Sequence, residues 1–333
     1  MKKGLFLLIP LVILTMATLL PAETGRGGQA AAFLRFGLSA RPLGMGSAFT
    51  AIGEGFEGCY YNPAGLGMYP VKQLGFTNHS LSLDRKLYTA ALVFPVREEA
   101  VMAISWIYGS VGDVIMRDSD RNPLGEFPNS SNEVSLTFSR MANDFISIGA
   151  NLHYLQEDLD EITAYTVGAD IGAIARYKKL AAFGLSVQNA GSDLNWDSIN
   201  YWSQGGGSHK DKIPLRIRTG ISATLLNETL IGAADIVKDL KMNMRLNTGV
   251  EYWLVTRVKV LVENDEEEGE DMVEVLQAKR WLGLRTGYND GAFTFGGSLI
   301  YPFGNLNGAI DYAYLTGRED EGASHIFTFR VIF

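Results

Sequence analysis

The chain has a single cysteine, Cys59, in 333 residues. An internal disulfide is therefore impossible, and the fold must rest on its own packing. Cys59 also stands far from the N-terminal apolar run, which excludes a bacterial lipid anchor there. Histidine is nearly as scarce. His79, His153, His209 and His325 are scattered, without the spacing of a metal site. Basic residues never run beyond two in a row, and the formal net charge is −8, so nucleic acid is excluded as a partner. After the N-terminus no stretch reaches the ~18 apolar residues of a membrane helix. The sequence GGGSHKDK at 205–212 lacks the Gly-Lys-Ser/Thr of a phosphate loop. Gly44-Met45-Gly46 lacks the third glycine and the preceding strand of a dinucleotide loop. With no local nucleophile signature either, the chain is not expected to be an enzyme, and no catalytic residue, metal or cofactor is expected.

The sequence is instead rich in glycine, with 37 residues, and carries 11% aromatics. Its N-terminus reads as an export signal: Lys2 and Lys3, an apolar run from Gly4 to Leu20, then Pro21 and Ala22 before the polar ETGRGGQ. Residues 1–22 are expected to be removed after Ala22. The remainder divides into 23–70, which is glycine-rich and does not alternate, and 71–333, which alternates almost throughout.

In EVSLTFSRMA, Val134, Leu136 and Phe138 point one way while Ser135, Thr137 and Ser139 point the other. FISIGANLHYL, PLRIRTGISATLL and FTFGGSLIYPF repeat the pattern. About fourteen such segments are expected, among them 133–142, 162–177, 180–190, 213–226, 243–263 and 273–290, many joined by tight turns such as Asn289-Asp290-Gly291. A soluble sandwich would bury the apolar faces against each other. A membrane barrel would turn them to lipid and line its lumen with polar groups. Mid-strand charges at Arg216, Arg218, Arg245, Glu251, Arg285, Asp311 and Arg330, opposite aromatic and aliphatic faces on nearly every strand, favour the barrel. These seven residues are the candidate lumen charges, placed to contact a plug or a ligand, and His153 is expected among them. The expected fold class is all-β, a transmembrane antiparallel barrel of about 14 strands in the bacterial outer membrane, with lipid as its surroundings. Strand parity puts the long loops 110–132 and 191–212 outside. It puts the acidic run Glu263–Asp271 on the opposite side, so either that hairpin extends inward or a strand is missing from the count. The acidic run reads as a solvated loop tip, with calcium as the chemistry its carboxylates could offer.

Residues 23–70 read as a plug that must fit a confined space, with a helical stretch around Pro42. Asn62-Pro63 reads as a helix start, Asn capping free amides and Pro filling the first helical position. The chain ends on HIFTFRVIF, an aromatic-rich strand closing on Phe333, which resembles the assembly signal of bacterial outer-membrane barrels. ARPLGMGSAF (40–49) followed by YYNPAGL (60–66) resembles the N-terminal signature of the PorV/PorQ family, itself similar to long-chain fatty acid transporters of the FadL type. That resemblance implies a fourteen-stranded barrel with an N-terminal hatch. It maps the hatch motif onto Arg41, Gly44, Gly46, Asn62, Pro63, Ala64 and Gly65. The chain departs from the pattern at Gly53-Glu54-Gly55 and at the acidic run. Two functions follow as expectations. One is service in type IX-like protein secretion or surface attachment, with a secretion translocon and exported proteins as partners. The other is FadL-type uptake of hydrophobic small molecules, for which Phe127, Trp196, Tyr201 and Trp202 are candidate pocket aromatics. A structural barrel without transport is a third reading.

Overall fold

The computed structural model describes residues 30–112, 114–199, 206–240, 242–263, 272–317 and 322–333, with side chains throughout except at 257–263 and 272–278. The expected signal peptide lies outside the described residues. Strands β1 (Gln73–Ser80), β2 (Arg85–Arg97) and β3 (Ala100–Val111) are followed by a short hairpin, β4 (Ile115–Arg117) and β5 (Pro123–Glu126). Next come β6 (Asn129–Asn143), β7 (Ile146–Leu159), β8 (Ile162–Tyr177) and β9 (Ala181–Ala190). A second hairpin, β10 (Asp193–Asp197) and β11 (Ser208–Lys212), precedes β12 (Arg216–Leu225), β13 (Leu230–Asp239) and β14 (Arg245–Glu263). The chain finishes with β15 (Met272–Asn289), β16 (Ala292–Phe303), β17 (Leu306–Leu315) and β18 (Ser324–Ile332).

Among the described residues, β1–β3, β6–β9 and β12–β18 form one closed antiparallel barrel of fourteen strands. Closure is made by β1 against β18, paired from Gln73↔Ile332 to Ser80↔His325. The final strand therefore has no free edge, which removes the aggregation hazard of its aromatic run. Each expected segment coincides with one barrel strand, to within a few residues at its ends. Asp290 and Gly291 both have positive φ, 45° and 98°, the backbone a two-residue hairpin turn demands, and Asp-Gly supplies it cheaply.

The barrel is inside out relative to a soluble protein. On β6, Val134, Leu136 and Phe138 are 44–48% exposed on the outer face, while Ser135, Thr137 and Ser139 are at most 4% exposed on the inner one. Exposed apolar surface of this kind costs about 25 cal/mol per Å² in water, so this outer face needs hydrocarbon around it.

The loops at 110–132 and 191–212 hold the two small hairpins, a difference from the expected irregular loops. Their strands are short and do not alternate, so no periodicity announced them. The β10–β11 hairpin extends the wall, because Asn195 and Trp196 pair with Tyr165 and Ala164 of β8. At the opposite end, the one bearing the C-terminus, β14 and β15 remain paired to Glu263↔Met272, beyond the last ladder partners of β14 on β13 and of β15 on β16. The hairpin therefore extends, and no strand is missing from the count; residues 264–271 at its tip lie outside the described residues.

Residues 30–70 fold as a 3-10 turn (Ala32–Arg35) and three helical turns, Ala40–Gly44, Gly58–Tyr61 and Gly65–Met68. Pro42 fits the first of these helices because a first-turn residue needs no N–H partner. Asn62 does turn the chain, since its Oδ1 accepts the Ala64 N–H at 3.1 Å and its carbonyl accepts the Gly65 N–H at 2.9 Å. The expected helix start is displaced, however: Asn62 ends the helix Gly58–Tyr61, and the next begins at Gly65 with Ala64 as its N-cap, so Pro63 lies in the turn and not at a first helical position. The segment lies within the barrel, touching inward-facing residues from β1 round to β18. Gly46 shows how tight the fit is. Its φ is +63°, and a Cβ there would fall 2.5 Å from the backbone oxygens of both Thr248 and Tyr288.

Candidate functional site

The inner wall and the N-terminal segment meet through a buried chain of alternating charges. Arg41, 1% exposed, is clamped by Glu251 of β14 through Nε–Oε1 at 3.0 Å and Nη2–Oε2 at 2.9 Å. It also donates to Glu54 at 2.9 Å, and Glu54 pairs in turn with Arg280 of β15 at 3.2 Å. On the other side Glu251 meets Arg285 at 3.0 Å, Arg285 meets Asp311 of β17 at 3.5 Å, and Asp311 takes two bonds from Arg330 of β18 at 2.8 and 3.0 Å. Ser298 bridges Arg285 and Asp311. Trp253 lies at the centre, with the guanidiniums of Arg41, Arg280 and Arg285 5.4–5.7 Å from its ring.

Register explains much of this chain. Arg285 is the cross-strand partner of Glu251, and Ser298 that of Asp311, so neighbouring charges are brought together by the ladder itself. Burial alone would lower the pKa of Arg41, but Glu251 and Glu54 overcome it and hold it well above its ordinary value. Burial pushes Glu54 the other way, upward, yet Arg41 and Arg280 bring its carboxyl well below the usual range. Glu57 has no such clamp. Its Oε1 accepts from Ser39 Oγ at 2.8 Å, and burial raises its pKa.

The remaining lumen charges form a second group, so the seven expected residues are not one cluster. Arg216 and Arg245 share Asp239, at 2.6 and 2.7 Å, and Arg216 also reaches the Tyr60 hydroxyl at 3.2 Å. Arg218 bonds Gln188 at 3.1 Å and stacks over the rings of Tyr60 and Tyr61. Asp235, which the sequence reading did not single out, fixes the segment most directly. Its Oδ2 accepts from the amides of Phe49 and Thr50 at 2.9 Å each and from Thr50 Oγ1 at 2.7 Å. Asp235, Asp239 and Glu54 were all legible as acids in a polar setting. What was missing was a partner, since each partner lies far away in sequence or across a turn.

Six of the seven expected hatch-motif residues sit against the wall, and Gly65 packs inside the segment. A Cβ on Gly44 would meet Arg285 Cδ at 2.8 Å; Pro63 packs against Gly149; the Ala64 carbonyl accepts from Ser147 Oγ at 2.7 Å; and Gly65 lies on Gly53. Asn62 Nδ2 donates to Thr50 O at 2.9 Å and reaches Ala173 O and Leu185 O on the wall at 3.2 and 3.3 Å.

His153 does face the interior. Its Nε2 lies 3.2 Å from Ser192 Oγ and its Nδ1 3.6 Å from Asp170 Oδ2. Although the residue types match a catalytic triad, Ser192 is 3% exposed, so the arrangement braces the wall. Among the described residues no three His, Cys, Asp or Glu side chains converge to hold a metal.

Near the end opposite the C-terminus the lining changes character. Leu87, Ile107, Leu155, Ala164, Leu194 and Ile213 form a buried apolar chamber, filled by Ala31, Leu34 and Leu38 of the N-terminal segment. Of the candidate aromatics, Trp196 packs at its edge, whereas Phe127 is not part of it. Tyr201 and Trp202 lie outside the described residues. The aromatics at the chamber come instead from Phe33, Phe36 and Tyr60, within the segment. Below the chamber is a cavity of ≈30 Å³, lined by Tyr60, Asn151, His153, Asp170, Gln188 and Arg216 among others. A larger one of ≈220 Å³ lies towards the other end, lined by Ala51, Ile52, Tyr69, Arg176, Ala182 and Ser222 among others.

No family model matches the chain, and no curated sequence matches it. Solved structures with a similar fold do exist. A FadL homologue from Pseudomonas aeruginosa aligns with a TM-score of 0.55 at 10% identity, over 94% of this chain and 99% of that one. The toluene transporter TodX from P. putida aligns with a TM-score of 0.56 at 11% identity, over 89% and 97% of the two chains. A TodX variant described as a monoaromatic hydrocarbon channel aligns with a TM-score of 0.52 at 12% identity, over 89% and 98%. At such identities the likeness is one of fold: a closed antiparallel barrel of the kind these FadL-type structures share.

Proposed function

We propose that this chain is an outer-membrane channel for hydrophobic small molecules, in which residues 23–70 act as the hatch. The observation that carries this reading is the apolar chamber. The lumen of a membrane barrel is ordinarily polar. Here Leu87, Ile107, Leu155 and Ala164 turn inward from four barrel strands, 0–3% exposed, beneath the β10–β11 hairpin. The segment's Ala31, Leu34 and Leu38 occupy it, and an apolar lining of this kind with a few polar groups below it is, once they move aside, the form of a site for an apolar ligand. The fold shared with a toluene transporter and a FadL homologue supports the same assignment. The secretion reading keeps only the paired motif as support.

The test is uptake of labelled toluene and of a labelled fatty acid by bacteria that lack their own channel for hydrophobic compounds. Expression of this chain should raise uptake of at least one, and Leu155→Glu, which charges the chamber, should abolish the gain. Uptake equal to that of cells without the protein would sink the proposal.

A further inference from the structure

The N-terminal segment is held unequally around its circumference. Towards β14–β18 it is fastened by charge and by hydroxyls. Arg41 is clamped to Glu251, Ala40 N–H bonds Thr328 Oγ1 at 2.9 Å, and Gly46 N–H bonds Thr294 Oγ1 at 3.0 Å. Towards β8, β9 and β12 charge holds the segment at Tyr60 and Tyr61, through Arg216 and Arg218, and both cavities reach this wall, the smaller one extending round to β2. Along β8 the inward positions run from Asp170, in the smaller cavity, through Gly172 to Arg176, in the larger. Along β9 they run from Gln188 through Gly184 to Ala182, and along β12 from Arg216 through Gly220 to Ser222. All three strands thus read cavity, glycine, cavity; Gly184 and Gly220 are direct ladder partners, and Gly172 lies one inward position away, opposite Ser186. At two of these glycines the segment presses directly on the wall. A Cβ on Gly172 would fall 2.0 Å from Asn62 Oδ1, and one on Gly184 would fall 2.3 Å from Thr50 O. Between the two cavities the segment is linked to β8 and β9 by the Asn62 amide, shared among Thr50 O, Ala173 O and Leu185 O, while the further bond from Gln188 Nε2 of β9 to Tyr60 O lies in the lining of the smaller cavity.

We infer that the passage through the barrel runs along the β8–β9–β12 wall and that Asn62 is its gate, while the charge chain keeps the segment seated on the opposite wall. Molecules cross when the Asn62 side chain swings off the two wall carbonyls and joins the cavities. The segment does not leave the barrel. This inference rests on the channel reading, but it concerns the route and not the cargo.

The experiment is ion conductance of the purified protein in planar bilayers with potassium chloride as the only solute, in a Cys59→Ser background. Asn62→Gly should raise conductance about tenfold, the factor that follows from losing about 1.4 kcal/mol of hydrogen bonding. Asn62→Ser, the milder change, should raise it less. Ser39→Cys with Thr328→Cys places two thiols where hydroxyls now lie 3.3 Å apart, fastening the segment to β18. Oxidising that pair should leave the Asn62→Gly conductance unchanged. The inference is overturned if both Asn62 variants conduct like the parent, or if the oxidised pair closes the pore and a reductant reopens it. Gated ion conductance without uptake of toluene or fatty acid would leave the route standing and remove the cargo. Uptake with silent Asn62 variants would do the reverse.

Discussion

Replacing Glu251 with glutamine is the sharpest probe of how the segment is held. Glu251 is fully buried and serves two guanidiniums, Arg41 through two bonds of 2.9 and 3.0 Å and Arg285 at 3.0 Å. Removing one partner of a buried ion pair costs about 3–5 kcal/mol, because the remaining charge is stranded. Here neither arginine is stranded completely. Arg41 keeps Glu54 at 2.9 Å, Arg285 keeps Asp311 at 3.5 Å, and the glutamine amide still offers an oxygen. The low end therefore applies, about 3 kcal/mol. At about 1.4 kcal/mol per factor of ten, the ratio of seated to unseated segment should fall about a hundredfold. Hydrogen exchange reads this directly, through the amides of Gly46, Phe49 and Thr50, whose acceptors are Thr294 and Asp235 on the wall. Amides of β6 and β7 serve as the internal reference. Faster exchange at 40–50 with no change in β6–β7 is the expected result. Adding Arg41→Gln should cost less than the sum of the two single changes, since the pair acts as a unit. Unchanged exchange at 40–50, or equal acceleration in the barrel strands, would refute the idea that the charge chain seats the segment.

Two other outcomes are expected. Leu136→Arg, at mid-length on the outer face of β6, should lower stability to urea by about 2–4 kcal/mol in phospholipid vesicles, the cost of a charge at the lipid midplane; no loss would contradict the lipid-facing assignment. Glu57 should make seating of the segment pH-dependent. Burial raises its folded pKa above the unfolded value, so the seated state binds the extra proton, and stability falls as pH rises from the ordinary carboxylate range through that raised value. Protection at 30–60, that is exchange relative to the intrinsic rate at each pH, should therefore fall across that window in the parent chain and stay flat in Glu57→Gln.

The strands were legible because most inward positions are polar and most outward ones apolar, a signal that repeats every second residue. The expected segment 162–177 coincides with β8 for that reason. Mid-strand arginines and carboxylates on polar faces were equally legible as lumen charges, and all seven are buried inside. Their pairing was not, although some of it follows from register. Arg216 and Asp239 are ladder partners across the β12–β13 turn, so a correct hairpin register would have joined them. Arg41 and Glu251 are 210 residues apart and share no element, and no local pattern connects them. The apolar chamber was hidden for a related reason. Its members come one from each of several strands, where each looks like a single break in alternation, and its filling comes from a segment with no period at all.

The closing strand also has a role in construction. β18 seals the barrel against β1, and the same strand supplies Thr328 and Arg330 to the interior. Ser39 meets Thr328 across 289 residues of chain. Contacts of that span carry a high loop-closure cost and form late in folding. The Ser39–Thr328 contact is complete only when β18 lies against β1, so the step that seals the barrel is also the step that finishes the seat of the N-terminal segment.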